Sequence, residues 1–274
     1  MNLIEVAKAI IIGIVQGITE WLPISSTGHM ILLDEFMKLN VTKSFLDMFL
    51  VVIQLGSILA VVYLYFQKLN PFFSQKSLLE RKETISLWLK VAVGCVPAAI
   101  IGFIFDDFIH EKLYSSTTVA LTLILYGILF ILIEKQKRIY PIDKIEKLDY
   151  KTALLIGMFQ VLALIPGTSR SGSTIIGATL LGASRTVAAE YSFFLAIPVM
   201  FGAGGFKFLK YVLKVGLSFS TTELSILFFG MFVAFLVSVW AIKFLMNYIQ
   251  KHDFKAFGVY RIALGVIVLL YFIS

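Results

Sequence analysis

Gln16-Gly-Ile-Thr-Glu20-Trp-Leu-Pro23-Ile-Ser-Ser-Thr-Gly-His29-Met30 is the stretch of the sequence that decides the fold. It carries a carboxylate, a proline, three consecutive hydroxyls and a histidine. Apolar runs flank it on both sides, over Ala9–Val15 and Met30–Leu33. Ionisable side chains are costly in a membrane and usually mark functional sites there. We therefore interpret this stretch as one half of a site whose second half lies further along the chain.

The composition predicts an integral membrane protein. Apolar residues make up 59% of the 274 residues and charged residues 15%, whereas globular proteins average about 45–50% and about 25%. The apolar runs are too long, and alternate too little, for the strands of a barrel, so we predict an all-α polytopic membrane protein. We attribute the formal net charge of +7 to cytoplasmic loops beside anionic headgroups. Membrane lipids are therefore expected as partners, and nucleic acid is not.

Six apolar stretches are long enough to cross a bilayer, which takes about 17–25 helical residues. They are Met48–Phe66, Leu87–Phe105, Thr118–Ile133, Tyr191–Phe206, Leu224–Met246 and Phe257–Ile273. The third of these is of marginal length. Pro198 and a group of glycines are expected to interrupt the fourth.

Two further apolar stretches, residues 6–38 and 150–184, are divided in the middle by proline, glycine and hydroxyl residues. Proline removes a backbone donor and glycine lets the chain reverse its direction. Each stretch is therefore predicted to form a re-entrant hairpin of two short helices. A loop at membrane depth is stable only inside protein or beside a watery cavity, so both loops should face the interior.

The two halves of the chain look related. Residues 9–16 align with residues 153–160, and a proline follows each at nearly the same distance. We predict one membrane domain, residues 1–274, made of two repeats, 1–140 and 141–274. Each repeat would hold one re-entrant hairpin and three transmembrane helices. An odd number of crossings inserts the second repeat upside down, and inverted-topology repeats place their sites at the repeat interface near the midplane.

Loop charges predict the orientation. Lysine and arginine are concentrated in Tyr65–Ser86 and Glu134–Lys151, whereas Asp106–Ser116 holds one lysine against three acidic residues. The positive-inside rule makes the first two loops cytoplasmic and the third external, with both chain termini external. Lys210 and Lys214 would then lie outside and count against this assignment.

The second broken stretch predicts an anion-binding loop. It reads Pro166-Gly167-Thr168-Ser169-Arg170-Ser171-Gly172-Ser173-Thr174. An arginine fork matches phosphate oxygens, and a glycine-rich turn before a helix directs backbone N–H groups at an anion. The candidate phosphate-binding residues here are Gly167, Thr168, Ser169, Arg170, Ser171 and Thr174. The alternative is a helix-breaking loop with capping hydroxyls and a snorkelling arginine, which the long apolar flanks disfavour.

The first broken stretch supplies reactive groups. A serine such as Ser26 becomes a nucleophile when a neighbouring base takes its proton, and His29 titrates in the range needed for proton transfer. Glu20 could orient His29, act as the base or hold a divalent cation, and Gln16 lies one helical turn away. The alternative is that His29 is a hydrogen-bonded core residue and that Glu20 is interfacial.

The two loops together indicate phosphoryl transfer, in which positioning and charge neutralisation dominate. The catalytic candidates are Glu20, Ser26, His29 and Arg170. Gln16, Ser25 and Thr27 join the phosphate-binding candidates of the second loop. Because the site is predicted to lie in the membrane, the substrate should be a lipid phosphate or diphosphate with its tail in the bilayer.

The residues Glu20–His29 and Pro166–Thr174 resemble the two signature motifs of the bacterial undecaprenyl-diphosphate phosphatases, the bacitracin-resistance family. The resemblance covers most of the chain in hydropathy, motif order and length. It implies hydrolysis of undecaprenyl diphosphate to the monophosphate that envelope synthesis reuses. It also implies a bacterial cytoplasmic membrane location with the site open to the external face. Whether Ser26 or His29 attacks phosphorus stays open.

The resemblance further implies a divalent cation, Mg²⁺ or Ca²⁺. The family's carboxylates map onto Glu20 and Gln16, and the glutamine lacks the charge that a firm metal ligand needs. A rival interpretation is a transporter or flippase for a polyprenyl-phosphate lipid, since inverted repeats with broken helices are a transporter architecture. The clustered Ser, His and Glu argue against it, because transport needs no nucleophile. The sequence leaves the oligomeric state open, a homo-oligomer included.

Overall fold

A computed structural model describes residues 2–136 and 139–273. Across these residues the chain forms α-helices joined by short loops and two single 3₁₀ turns, with no β-strand. The helices are α1 (Leu3–Thr19), α2 (Ser26–Phe36), α3 (Lys43–Leu64), α4 (Phe66–Leu69), α5 (Leu78–Leu113), α6 (Ser116–Lys135), α7 (Tyr150–Val161), α8 (Arg170–Leu180), α9 (Arg185–Val215), α10 (Thr221–Lys251) and α11 (Lys255–Ile273). The all-α prediction is therefore confirmed.

Six of these helices, α3, α5, α6, α9, α10 and α11, are long and apolar enough to span a membrane. Each of the six predicted stretches forms one of these helices, and most of the helices begin earlier and end later than the predicted stretch. The predicted interruption of the fourth is wrong, because α9 runs unbroken through Pro198. The predicted external loop Asp106–Ser116 is also wrong over most of its length, since α5 continues to Leu113 and leaves only a short connection to α6.

The two divided stretches break where the sequence predicted. Helix α1 ends at Thr19 and α2 begins at Ser26, and the later pair ends and begins around Pro166. Ser25 and Ser169 occupy the N-cap positions of α2 and α8, both with φ of 72°. Each serine hydroxyl accepts a hydrogen bond from the backbone N–H of the glycine three residues later. The two hairpins therefore turn with one shared geometry.

Glycines set the closest helix crossings. A Cβ atom on Gly127 of α6 would lie 2.6 Å from the carbonyl oxygen of Gly258 on α11, and one on Gly265 would lie 2.8 Å from that of Ala120. Because the contact moves towards the N-terminus of α6 as it moves towards the C-terminus of α11, these helices run antiparallel. The absence of side chains lets the two backbones touch.

Helices α3 and α9 form a second antiparallel pair, which lies against the hairpins. The rings of Tyr65 and Phe194 are 5.2 Å apart, whereas further along the pair Leu55 packs on Gly204. Lys68, just after α3, bonds both carboxylate oxygens of Glu190 on α9. The hairpins pack against the remaining spans in matching ways, with α1 on α10 and α7 on α5. The two hairpin tips therefore lie between the spanning helices, in the interior.

Candidate active site

The carboxylate of Glu20 is the point at which the two loops meet. Its Oε2 atom accepts hydrogen bonds from Gln16 Nε2 at 3.0 Å and from Ser26 Oγ at 3.2 Å. Its Oε1 atom lies 3.3 Å from Nη2 of Arg170, on the second hairpin. Glu20 is buried, so the ion pair between the loops is shielded from bulk water.

Helix α8 presents Arg170 from its first turn. The Nη1 atom donates to the carbonyl oxygen of Ser192 on α9 at 2.8 Å and to its hydroxyl at 3.3 Å. The guanidinium carbon lies 5.8 Å from the centre of the Trp21 ring. Among the described residues no partner is found for the Nε atom of Arg170, so the guanidinium keeps one unused donor. The alternative interpretation, in which Arg170 snorkels to the surface, is therefore excluded.

The hydroxyls of the second loop connect this pair to the rest of the hairpin. Ser171 donates to the backbone carbonyl of Glu20 at 3.2 Å, and its hydroxyl lies 3.2 Å from that of Ser169. Thr174 donates to the carbonyl of Arg170, and its hydroxyl lies 2.7 Å from that of Ser192. The Thr174 hydroxyl thereby connects the backbone of Arg170 to Ser192, the residue that also binds the Arg170 guanidinium.

Gly167 and Thr168 lie at the turn itself. Gly167 has φ of +85°, and a Cβ atom there would overlap Thr122 on α6, so only glycine fits this position. Thr122 donates to the carbonyl of Pro166 at 2.7 Å. Thr168 is fully buried. This part of the loop packs against α6.

The hydrogen-bond partners of His29 lie in the first loop and on α11. Its Nδ1 atom lies 2.7 Å from the carbonyl oxygen of Ser25, so this nitrogen carries the hydrogen and donates. In the neutral ring Nε2 is then the acceptor, and it receives the hydroxyl of Tyr260 on α11 at 2.7 Å. His29 is half-buried, as are Ser26 and Thr27 on the same helix. The start of α2 is therefore more accessible than Glu20.

The structure thus brings together Gln16, Glu20, Ser26, Arg170 and Ser171 around one buried ion pair. Ser25 and Ser169 act as helix caps. His29 lies one turn after Ser26 on α2 and makes its hydrogen bonds to Ser25 and Tyr260.

Two residues that the sequence analysis did not consider reach the loops from α11. Tyr260 bonds His29, and Arg261 bonds backbone carbonyls of both loops. The available signal was an arginine inside an apolar span, which by itself suggests a functional position.

A divalent cation would find one anionic ligand in this site, Glu20. The described residues hold no group of three or more His, Cys, Asp or Glu side chains arranged for a metal ion. Both oxygens of Glu20 already accept bonds from Gln16, Ser26 and Arg170. Proteins often hold Mg²⁺ through one or two carboxylates together with substrate phosphates. The donor set therefore fits a cation that arrives with a phosphorylated substrate.

The sequence of the chain matches a known protein family over most of its length. The family described as bacitracin resistance protein BacA matches residues 9–267, which include both loops and most of α11. The chain belongs to this family.

Relatives of the BacA family are similar over almost their whole length. The undecaprenyl-diphosphatase of Desulfitobacterium hafniense is 59% identical over 276 residues, covering 99% of this chain and 98% of the relative. That of Acetivibrio thermocellus is 59% identical over 274 residues, covering 99% of each. Undecaprenyl-diphosphatase 1 of Clostridioides difficile is 58% identical over 271 residues, covering 99% of this chain and 97% of the relative.

Proposed function

We propose that this chain is a membrane phosphatase that hydrolyses undecaprenyl diphosphate to undecaprenyl phosphate and inorganic phosphate. The observation that carries the proposal is the contact of one buried carboxylate, Glu20, with both Ser26 and Arg170. The names and high identity of the BacA-family relatives support the substrate. The reaction would recycle the lipid carrier for peptidoglycan synthesis and confer bacitracin resistance.

In this mechanism Ser26 attacks the terminal phosphorus. Its hydroxyl already donates to Glu20, so the carboxylate accepts the proton as the new P–O bond forms. The bond from that phosphorus to the bridging oxygen breaks, and the lipid monophosphate leaves. Water then attacks the phosphoserine, the Ser26 oxygen recovers its proton from Glu20, and inorganic phosphate is released.

Arg170 stabilises the charge that spreads over the phosphoryl oxygens during both steps. Its guanidinium is held by Ser192 and by Glu20 before substrate binds, so little reorganisation is needed. The unused Nε donor supports this role.

His29 is assigned to proton transfer with the attacking water. Its Nδ1–H is held by Ser25 and its Nε2 accepts the hydroxyl of Tyr260, so the proton of the attacking water would pass to Nε2 through that hydroxyl. Direct attack of His29 on phosphorus is disfavoured, because Nε2 would first have to release Tyr260.

A divalent cation is part of the proposal as a companion of the substrate. Mg²⁺ or Ca²⁺ would be held by Glu20, by the amide oxygen of Gln16 and by the diphosphate itself. When bound, it would neutralise charge on the diphosphate.

We further propose that residues 1–140 and 141–274 are inverted-topology repeats in the bacterial cytoplasmic membrane, with the site open to the external side. The shared geometry of Ser25 and Ser169 supports a duplication. The antiparallel pairs α3 with α9 and α6 with α11 support inversion, because each pairs corresponding helices of the two halves.

Phosphate release from a polyprenyl diphosphate by the purified protein in detergent tests the function. Arg170→Ala should lower kcat by roughly 10²-fold or more, the scale of losing one preorganised charge stabiliser. Ser26→Ala should abolish formation of the phosphoserine, measured with substrate labelled at the terminal phosphate. Ser225→Ala and Arg185→Gln are matched controls. Ser225 donates to a carbonyl in its own helix, and Arg185 pairs with Glu134 away from the loops.

Full turnover by the Ser26 and Arg170 variants would contradict this mechanism. A wild-type protein that binds the lipid diphosphate without releasing phosphate would instead favour the transporter interpretation.

A further inference from the structure

We infer that Arg261 of α11 is a positioning residue that clamps the two hairpin loops together, and so sets the distance between Ser26 and Arg170. The inference rests on the proposed hydrolase function. Arg261 is fully buried. The mechanism assigns it no contact with substrate.

The guanidinium of Arg261 bonds both loops at once. Its Nη1 atom donates to the carbonyl oxygen of Pro23 in the first loop at 3.2 Å. Its Nη2 atom donates to the carbonyl oxygens of Gly167 at 3.0 Å and Thr168 at 2.9 Å in the second loop. A planar fork with donors on two nitrogens can hold both loops at a fixed separation, which a single ammonium cannot do.

These hydrogen bonds satisfy backbone carbonyl groups of the two loops. Irregular chain at membrane depth has carbonyl groups that no helix satisfies, and each costs free energy if left without a donor. Arg261 satisfies three of them, in two segments more than 140 residues apart in sequence. The irregular parts of the two loops are thereby joined through one side chain.

Among the side chains that the structure describes, no carboxylate forms a salt bridge with Arg261. Its guanidinium carbon lies 5.5 Å from the centre of the Tyr126 ring on α6, and Gly172 of α8 leaves space beside Nη1. Burying an arginine among carbonyls and one ring is costly. A lipid-facing helix that only spans the bilayer does not need it.

Misplacing a catalytic group by about 1 Å can cost about 10²-fold in rate. Arg261→Gln, which can reach only one loop, should therefore lower kcat by about 10²-fold with little change in KM, because the phosphate-binding groups of the second hairpin stay on α8. Arg261→Lys should be intermediate. Arg185→Gln is the matched control, since it removes an arginine ion pair that does not touch the loops.

Trp21 provides a readout that does not depend on activity. It is fully buried, and its ring lies 5.3 Å from that of Phe193. In a Trp88→Phe, Trp240→Phe background, Arg261→Gln should raise acrylamide quenching of Trp21 while thermal unfolding stays cooperative. Arg185→Gln should leave the quenching unchanged.

A double-variant cycle tests the coupling. If Arg261 acts through the placement of Arg170, Arg261→Gln should cost much less in an Arg170→Ala background than in the wild type. Fully additive losses, a wild-type kcat in Arg261→Gln, or a lower kcat with unchanged Trp21 quenching would each overturn the inference. If Arg261→Gln fails to fold, Arg261→Lys decides in its place, and wild-type kcat and quenching in that variant overturn the clamp.

The proposed function can fail separately. A wild-type protein without phosphate release would refute the hydrolase, while the Trp21 measurement would still report whether Arg261 holds the loops.

Discussion

Two serines hold a backbone conformation that residues with a side chain rarely adopt. Ser25 and Ser169, each with φ of 72°, are the non-glycine residues of the described chain with positive φ. Left-handed backbone costs a residue with a Cβ atom roughly 1–2 kcal/mol. Each serine offsets part of this cost by capping the next helix. The strain lies at the entrances to α2 and α8, which carry Ser26 and Arg170.

Replacing Ser25 by glycine or alanine should separate these two contributions. Ser25→Ala keeps the backbone strain and loses the cap, which typically costs about 0.5–2 kcal/mol. Ser25→Gly loses the same cap but relieves the strain, so it should be more stable than Ser25→Ala. Thermal unfolding of the two variants in detergent measures the order, and a glycine variant that melts below the alanine variant would contradict it.

Tyr260 should contribute to turnover through His29. Removing its hydroxyl in Tyr260→Phe takes away one of the two hydrogen bonds that hold the imidazole. A bond worth about 0.5–1.5 kcal/mol corresponds to a fall in kcat of roughly 2- to 10-fold. Steady-state phosphate release measures it. Tyr63→Phe is the control, because Tyr63 is exposed on α3, where its ring lies beside that of Phe235. Equal kcat values in the two variants would exclude this role.

The sequence predicted the residues of the two loops but not those that hold them. Pro23 and Pro166 indicate where the helices of the two hairpins break. Glu20 and Arg170 stand out because few other charged residues lie near them in the sequence. Arg261 lies much further along the chain. Its partners are backbone carbonyls, which every residue has, so a pattern of residue types does not identify them. The direction in which His29 points depends on Tyr260 in the same way. Helix packing decides both.

At the scale of helices, hydropathy predicted where the helices lie better than single prolines or acidic residues did. Pro198 lies inside α9 without ending it, because a proline in a spanning helix costs one hydrogen bond that neighbouring groups can compensate. The acidic stretch after Phe105 was expected to be a loop, yet it contains neither proline nor glycine, and α5 continues through it. By contrast, a proline combined with glycine and several hydroxyls broke the helix in both hairpins.

Glycine at the crossing of α6 and α11 should be required for stability. In Gly258→Ala the new Cβ atom would lie 2.7 Å from the carbonyl oxygen of Gly127, too close for a real contact. Forcing the two backbones apart should cost about 1–3 kcal/mol. Gly205→Ala on α9 is the control, since nothing lies within 4 Å of its added methyl group. A fall in thermal stability confined to Gly258→Ala is expected, and equal stabilities would mean that the crossing is not tightly packed.

At the scale of the whole molecule, the paired helices link the fold to the proposed orientation. Helices α3 and α9 correspond in the two proposed repeats, as do α6 and α11, and each pair runs antiparallel. A duplication inserted in one direction would instead leave corresponding helices parallel. Under the proposed inversion the hairpins would enter from opposite sides of the membrane, with their tips meeting at Glu20 and Arg170.

The orientation of the protein in the membrane can be measured on helix α5. Helix α5 has 36 residues, and a helix rises about 1.5 Å per residue, so its two ends must lie on opposite sides of a hydrocarbon core about 30 Å thick. Lys82 near its start and Lys112 near its end are both exposed, and neither caps a helix. Single cysteines at these positions, in a Cys95→Ala background, report the two sides.

A membrane-impermeant maleimide added to intact cells should label Lys112→Cys and leave Lys82→Cys unlabelled. The lysine-rich segment around Lys82 lies on the cytoplasmic side under the positive-inside rule, and the acidic end of α5 lies outside. Labelling after detergent solubilisation should reach both cysteines, which controls for local burial. Labelling of Lys82→Cys alone in intact cells would reverse the orientation. It would then place the entrance to the Glu20–Arg170 site on the cytoplasmic side, where a phosphatase would draw on a different pool of lipid diphosphate.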